Sequence, residues 1–573
     1  MLFSGVTVRS AAVGMVAASI IMAYAGGLSA GFHWDDTHAI LRNPAVRSVG
    51  AAFGTFIDPG GFSAYRLPMV RPLTILTYAF NYRVGNFNPL GWHILNLLFH
   101  LFASLAAMGI TTVLLERVGY SESPRLWGGM AAGLVFAVHP VGAEAINYFS
   151  ARSALLAGAF CLAGIYCHLR HTDAHGNGRR IAAAACFIAG VASRESAAVF
   201  PAIVAATELI LPPPNAKSRF KAVVQTWPYW ISLVVYMGYR RLVLGVFTGK
   251  DFVRGPIEQI GIDLWAVGLY HKLLAFPWSM NVHHPAPECM HTSALLWIGA
   301  AIVCLEVIVF IGLFKKKPLP VVGLAVFYIG LLPTLAIPLN FPAAEHRLYL
   351  SMAGAAVMAG WAMAVVSLAK PRYAVVALLA VTLALAIATR FDNRRWLSDL
   401  TLWRAAVKAN PGDYLAWTQY GRAMKDSGNL TGAMSAYRKS LTIRPTGAAY
   451  NNLSVACDLA GDKKCSFDAL DKALSIEPNN PNAHMNLGLM STQKGRLPEA
   501  ELHFLESIRL LPVFPEAHKN LAVLYLKRKP PALEQALKHL EISFRQDPYQ
   551  KGAAEMRKAI LELRRRVKKR LNQ

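Results

Sequence analysis

The chain has 573 residues, of which 54% are hydrophobic and only 16% charged, and its formal net charge is +25. Soluble proteins average roughly 25% charged residues, so disorder, a collagen-like fibre, a secreted disulfide scaffold and a simple cytosolic enzyme are all excluded. The charge is also uneven. Residues 1–391 hold 28 Lys and Arg against 15 Asp and Glu, while residues 392–573 hold 30 against 18, so a membrane domain is followed by one of soluble composition.

In chain order, a membrane helix needs about 20 mainly apolar residues. Eleven such runs are predicted, near residues 9–30, 93–115, 126–141, 146–169, 180–193, 196–211, 225–245, 293–314, 319–338, 348–368 and 373–390. Leu264–Trp278 is short and contains His271, Lys272 and Pro277, so it is expected to be interfacial or re-entrant. The first run flows into an aromatic and acidic segment and reads as a span rather than a cleaved leader. Basic loops at Arg170/Arg179/Arg180, Lys217/Arg219/Lys221, Lys315–Lys317 and Lys370/Arg372 mark the cytoplasmic side. With eleven spans, the loop at residues 31–92 and everything after residue 390 then lie outside.

Residues 413–548 repeat with a period near 34. Trp417, Tyr420, Gly421, Ala433, Tyr437, Ser440 and Pro445 define a unit that recurs from Tyr450, His484 and His518. Small residues at fixed positions let paired helices approach, large ones fill the stack, and proline ends each second helix. This pattern resembles the tetratricopeptide repeat. The expected organisation is an all-α chain: a polytopic membrane domain over 1–390, a linker over 391–412, about four repeats over 413–550, and a basic capping helix over 551–573. Such a solenoid has a groove suited to extended peptide, or it serves as a spacer or oligomerisation module. Nine basic residues between Lys551 and Arg570 point to anionic lipid or an acidic partner rather than nucleic acid. Cys161, Cys167, Cys186 and Cys304 read as small core residues. Cys457 and Cys465 could pair in an oxidising compartment. Asn429 and Asn452 head glycosylation triplets, a pattern that arises often by chance.

The chemistry-bearing residues cluster at the outer boundary. Asp35 and Asp36 follow the first span, with His38 beside them. Two neighbouring carboxylates at a low-dielectric edge suit a general base for an alcohol or a divalent cation site, and also a plain solvated helix end. Further outer segments carry Arg71, His139, Glu144, Arg152, Glu195, Glu345, Arg347 and Tyr349. Acids and bases collected on one face fit a reaction on a phosphorylated lipid. His93 and His100 read as helix-packing histidines, and Glu345–Arg347 could be a structural ion pair. His283, His284, Cys289 and His291 have irregular spacing for a metal site. No Gly-rich loop follows a strand, as a soluble sugar-nucleotide enzyme of that design would show.

The phrases WDD…ILRNPAV, RPLTILTYAFNYRVGNFNPLGWHILNLLFH, HPVGAEAI and AEHRLYLSMAG resemble the transmembrane and tetratricopeptide-repeat O-mannosyltransferases of the C-type glycosyltransferase (GT-C) superfamily. The resemblance spans roughly residues 10–548. It implies inverting transfer of a sugar from a polyprenyl-phosphate carrier to protein hydroxyls, with the repeats holding the acceptor. Carried over by position, Asp35 is the expected base and Asp36 its electrostatic partner. A divalent cation, if used, would sit on that pair, and His38 would position the acceptor or the cation. Arg347, flanked by Glu345 and Tyr349, would face the donor phosphate, with Arg71 and Arg152 as further candidates. Glu144 and Glu195 would orient those arginines or meet sugar hydroxyls, and His139 would support them. The sequence departs from the family pattern at Ser193-Arg194-Glu195, where lysine is expected before the glutamate, and at His346. The expected location is a bacterial inner membrane with periplasmic repeats, or alternatively the endoplasmic reticulum. Rival readings are a non-enzymatic membrane-anchored scaffold for envelope or secretion complexes, a transferase acting on glycolipid or polysaccharide, and, less favoured, a transporter.

Overall fold

The structure is a computed structural model that describes residues 5–65, 69–174, 177–245, 255–287, 292–339, 341–550 and 552–571. Among the described residues there are helices and turns, with one isolated β-bridge between His284 and Ala343 and no strand. The chain forms two compact bodies. The first takes Met1–Asp36, Ala52–Pro59 and Met69–Ser398, and the second takes Thr37–Ala51, Gly60–Pro68 and Asp399–Gln573.

The first body is a helical bundle. Its longer helices are α1 (Gly5–Tyr24), α2 (Pro72–Gly85), α3 (Pro89–Arg117), α4 (Glu122–Val138), α5 (Arg152–Ala174), α6 (Asn177–Ser193), α7 (Phe200–Ile210), α8 (Trp227–Leu244), α9 (Pro256–Ala275), α10 (Ala294–Leu313), α11 (Pro318–Leu335), α12 (Leu348–Ala369) and α13 (Pro371–Asn393). Several open on proline, which suits a first turn because its missing N–H has no helical partner there. Among the described residues, seven helices are long and apolar enough to cross a membrane, or eight if the bent pair Glu122–Val138 and Pro140–Asn147 makes one span. The chain is therefore a polytopic membrane protein, with fewer qualifying spans than the eleven apolar runs.

The difference lies in the middle of the body. The runs over 180–193 and 196–211 appear as α6 and α7, parted by a 3₁₀ turn at Glu195–Val199 and only 17 and 11 residues long. At 1.5 Å per residue these reach only about 25 and 17 Å. α8 carries Arg240 and Arg241 and also falls short. The segment over 264–278 falls largely in the second half of α9, whose Trp265, Leu269, Tyr270 and Leu273 are buried, and α9 is not among the helices that qualify as spans. Gly268 and Gly299 explain why α9 lies flat on α10, since a Cβ on either would collide with a backbone carbonyl oxygen of the other helix.

In the second body, α14 (Asp399–Ala409) precedes four helix pairs: α15/α16 (Tyr414–Asp426, Leu430–Ile443), α17/α18 (Gly447–Leu459, Lys463–Ile476), α19/α20 (Pro481–Gln493, Leu497–Leu510) and α21/α22 (Pro515–Lys527, Leu533–Gln546). α23 (Ala553–Leu571) ends the stack. Gly421 gives room to the Tyr437 ring and Gly488 to the Phe504 ring. The recurring serine has a specific task. Ser440, Ser507 and Ser543 each donate a hydroxyl hydrogen bond to the carbonyl of the residue that opens the partner helix, Tyr414, Pro481 and Pro515, at 2.7–2.8 Å. The expected linker is largely helical: α14 buries Leu402, Trp403, Ala406 and Val407, a stripe that only a packed helix presents. α23 packs Met556, Ile560 and Leu563 with Leu540. Cys457 and Cys465 are joined by a disulfide.

Two pieces of the first loop belong to this body. Asn43 holds them together. Its amide donates to the carbonyls of Ala39, Gly61 and Phe62 at 3.0–3.1 Å, and its Oδ1 accepts the Ala45 N–H at 3.0 Å. Arg42 pairs with Glu516 at 2.7 Å and Arg47 stacks 4.1 Å above the Tyr549 ring, so the loop is fastened to the fourth repeat.

Candidate active site

Within the first body, the segment from Glu144 to Ser153 is a wall on which several candidate residues meet. It leaves a short helix (Ala143–Asn147), turns through Phe149–Ala151 and enters α5 at Arg152. The two aspartates behave differently against it. Asp36 is fully buried. Its Oδ2 accepts the His33 N–H at 2.9 Å, and its Oδ1 accepts both the N–H and the hydroxyl of Ser150, at 2.7 and 2.5 Å. Burial pushes its carboxyl up to about 6, against the pull of those hydrogen bonds. Asp35 is half-buried. Its N–H donates to Tyr148 Oη at 3.2 Å, and the same hydroxyl is hydrogen-bonded to the Asp35 side chain.

The turn that leads into the two carboxylates is strained. Trp34 has φ 36°, a left-handed conformation that costs a bulky residue about 1–3 kcal/mol. It is held from both sides. The His33 ring nitrogen Nε2 lies 2.7 Å from the Trp396 carbonyl oxygen, and the Trp34 ring meets Phe341 edge-on at 6.0 Å. Asp36 thus acts as a clasp between this turn and Ser150, while Asp35 is the more accessible carboxylate.

Farther along the wall stands a cationic group. Glu144 Oε2 accepts the His346 N–H at 2.8 Å, and its Oε1 lies 2.9 Å from His346 Nδ1. Arg194 lies 3.4 Å from His346 Nε2 and 3.5 Å from Ser153 Oγ. Arg71 holds Glu195 in a two-point ion pair at 2.6 and 3.1 Å. Burial alone would raise the Glu195 carboxyl, but Arg71 and then Arg194 hold it well below the usual range. For Arg194, burial and then repulsion from Arg71 push the guanidinium down to about 9. Arg347 donates to the Phe341 carbonyl at 2.5 Å. Among the described residues neither Arg194 nor Arg347 has a carboxylate in ion-pair distance. Arg194 was legible only as a departure from a motif. The ordering partners Ser150 and Tyr148 carried no signal of their own.

Several expected site residues prove structural. Arg152 is fully buried, and its guanidinium bonds Asn96 and Asn81 at 2.6 Å and the Trp92 carbonyl at 3.2 Å, with Tyr78 and Trp92 rings about it. Saturated and sealed, it has nothing to offer a phosphate. Glu345 does not pair with Arg347. It bonds Arg395 at 2.6 Å, the Asn281 N–H at 2.5 Å and the ring of His284 at 3.2 Å. The Tyr349 hydroxyl lies 2.8 Å from His100 inside the bundle, and its ring fills the gap left by Gly158. His139 caps the turn that begins at Pro140, accepting the Val141 N–H at 3.2 Å, with its other nitrogen on the Leu274 carbonyl. His93 and His100 face the carbonyls of Ala30 and Ala137. His38 falls in the second body, its ring 5.4 Å from that of Tyr65.

The residues present do not fit a divalent cation. Both oxygens of Asp36 face hydrogen-bond donors, and among the described residues no three His, Cys, Asp or Glu stand close enough to share an ion. Cys289 and His291 lie outside the described residues.

Comparison with known proteins adds the family context. The family described as Tetratricopeptide repeat matches residues 390–448. Protein O-mannosyl-transferase TMTC3 of Mus musculus is 23% identical over 605 residues, covering 92% of this chain and 64% of its own. The chain therefore spans a little under two thirds of that relative's length. Protein O-mannosyl-transferase Tmtc2 of Drosophila melanogaster is 35% identical over 158 residues, 26% of this chain and 16% of its own. A solved tetratricopeptide-repeat protein, TTC0263 of Thermus thermophilus, aligns with TM-score 0.26 and 23% identity over 32% of this chain and 94% of its own. The chain is thus a polytopic, tetratricopeptide-repeat protein whose sequence is similar, through both of its bodies, to the protein O-mannosyl-transferases.

Proposed function

We propose that the chain is a membrane glycosyltransferase that moves a mannosyl-type sugar from a polyprenyl-phosphate donor to a Ser or Thr hydroxyl of a protein held by the repeats. The observation that carries this reading is the division of labour along the Glu144–Ser153 wall. A half-exposed carboxylate, Asp35, is aimed by Tyr148 and backed by the clasped Asp36. Beyond it stand Arg194 and Arg347, guanidinium groups with no carboxylate in ion-pair distance among the described residues.

In this reading Asp35 takes the proton from the acceptor hydroxyl as its oxygen attacks the anomeric carbon. The bond from that carbon to the lipid phosphate oxygen breaks, and the phosphate leaves carrying the bonding pair. Attack from the opposite face inverts the configuration. Arg194 and Arg347 neutralise the departing phosphate without changing protonation state. The acceptor is held by the repeats, which raises its effective concentration. The compartment is an oxidising, extracytoplasmic one, a bacterial periplasm or an endoplasmic reticulum lumen, and the Cys457–Cys465 disulfide supports it.

The test is Asp35→Asn in membranes supplied with polyprenyl-phosphate mannose, with modified peptides read by mass spectrometry. Loss of a general base should lower kcat by roughly 10²–10⁴-fold. Turnover within a few-fold of the parent would refute the assignment, and label appearing in lipid or polysaccharide would refute the protein acceptor.

A further inference from the structure

The membrane body carries a cavity at the end away from the candidate active site. α12 starts beside Glu345–Arg347 and runs 22 residues to Ala369, about 33 Å of rise, which matches the ~30 Å hydrocarbon core. At its far end lies a cavity of about 490 Å³. Tyr120, from the turn after α3, lines it together with Lys316 and Lys317 at the mouth of α11, and with Trp361, Val365 and Leu368 on α12.

The lining is two-faced. One wall is cationic and the other apolar, and an aromatic residue sits on each side. Lys317 Nζ lies 5.8 Å from the centre of the Trp361 ring, which steadies an otherwise mobile ammonium. Two of the described acids at this end are engaged, and Glu122, in the first turn of α4, is exposed. Glu116 is held by Arg125 at 2.8 Å and Arg170 at 3.3 Å, and Glu208 is buried with Arg117 at 3.1 Å. Among the described residues, neither Lys316 nor Lys317 has a carboxylate in ion-pair distance. Both lysines stand at the end of a helix about as long as the hydrocarbon core is thick, the level at which a bilayer carries its phosphates.

We infer that this cavity binds the headgroup of an anionic diacyl phospholipid from the leaflet opposite the candidate active site. Lys316 and Lys317 face its phosphate, and an acyl chain runs down Val365 and Leu368. Charge selects the lipid class. The two ammonium groups repel the choline of a zwitterionic lipid, whereas a free phosphate gains nothing from the apolar wall. Basic clefts between membrane helices with interfacial aromatic residues are suited to such headgroups. The inference is independent of the transferase reading.

The full chain, delipidated in detergent and titrated with phosphatidylglycerol or phosphatidylcholine, tests it by native mass spectrometry. Phosphatidylglycerol should be retained at least about tenfold more strongly than phosphatidylcholine. Replacing both lysines with glutamine (K316Q with K317Q) should weaken retention about thirtyfold, at about 1 kcal/mol per basic residue. Val365→Trp fills the cavity, leaves every charge in place and should also abolish retention, so it carries the test if the double variant does not fold. A control pair of exposed lysines in the second body, K408Q with K439Q, should behave as the parent. Equal retention of the two lipids, full retention by Val365→Trp, or displacement of the lipid by inorganic phosphate would overturn the site.

Discussion

Asp36→Asn separates the clasp from the chemistry and gives a quantitative test of the site's electrostatics. The Asp36 carboxyl stands at about 6 in the folded protein against 3.8 for a free side chain. A raised folded value means that the native state binds the proton more tightly than the unfolded chain does. Its stabilising contribution is therefore complete below about pH 4 and is lost as the pH rises through about 6. At 1.36 kcal/mol per unit, that loss is about 3 kcal/mol. Asparagine resembles the protonated acid. Its oxygen still accepts the two Ser150 donors, while the His33 N–H loses an acceptor, a cost of about 1–3 kcal/mol that does not vary with pH. The expected result is two stability curves that converge. The parent should lead at pH 4 and lose that lead by pH 7, the difference changing by about 3 kcal/mol. Apparent melting temperature by scanning fluorimetry across this range, in one detergent, reads the effect. A difference that stays constant from pH 4 to 7 would show that Asp36 is not a desolvated, titrating group.

Further outcomes follow from the same contacts. Arg194→Ala and Arg347→Ala should each lower kcat/KM for the lipid donor about 10- to 100-fold, the worth of a charge-assisted hydrogen bond to phosphate, while leaving the melting temperature nearly unchanged. Unchanged donor kinetics in both would remove the phosphate role. Arg152→Ala should instead cost about 3–5 kcal/mol, because it strands the acceptors of Asn81 and Asn96 in the core; a variant that folds at parental yield and loses only donor affinity would reverse the structural assignment. Asn43→Ala removes three donated bonds and one cap, and should cost about 2–4 kcal/mol in the second body. It should expose residues 37–51 and 60–65 to limited proteolysis, and pieces that stay protected would show that Arg42 and Arg47 suffice to hold them.

The legible and hidden parts of the molecule differ for a physical reason. Apolar runs and the 34-residue period are properties of neighbouring residues, so spans and repeats could be read along the chain. The break at Ser193-Arg194-Glu195 was legible too, as the gap between two apolar runs, but the Arg71–Glu195 ion pair at that turn was not. The candidate site depends on contacts across long separations. Nothing local distinguishes Asp35 from Asp36; Ser150, 114 residues away, makes the second a clasp. Nor can sequence rank Arg71, Arg152, Arg194 and Arg347, since their roles depend on whether Glu195 or Asn96 has already taken the guanidinium. Arg152 drew attention as an outer-face arginine and proved the most thoroughly buried of the four.

The union of residues 37–51 and 60–65 with the fourth repeat bears on how the protein is made. Arg42 and Glu516 are 474 residues apart, so a nascent chain delivers the loop long before the surface it fastens to. Through the insertion of every intervening helix, Arg42 and Arg47 must wait for Glu516 and Tyr549, while the partners of Asn43 are all within 19 residues of it. The second body can close only after synthesis has passed Tyr549, a contact order that places its completion late and leaves the early loop as the natural substrate of a chaperone.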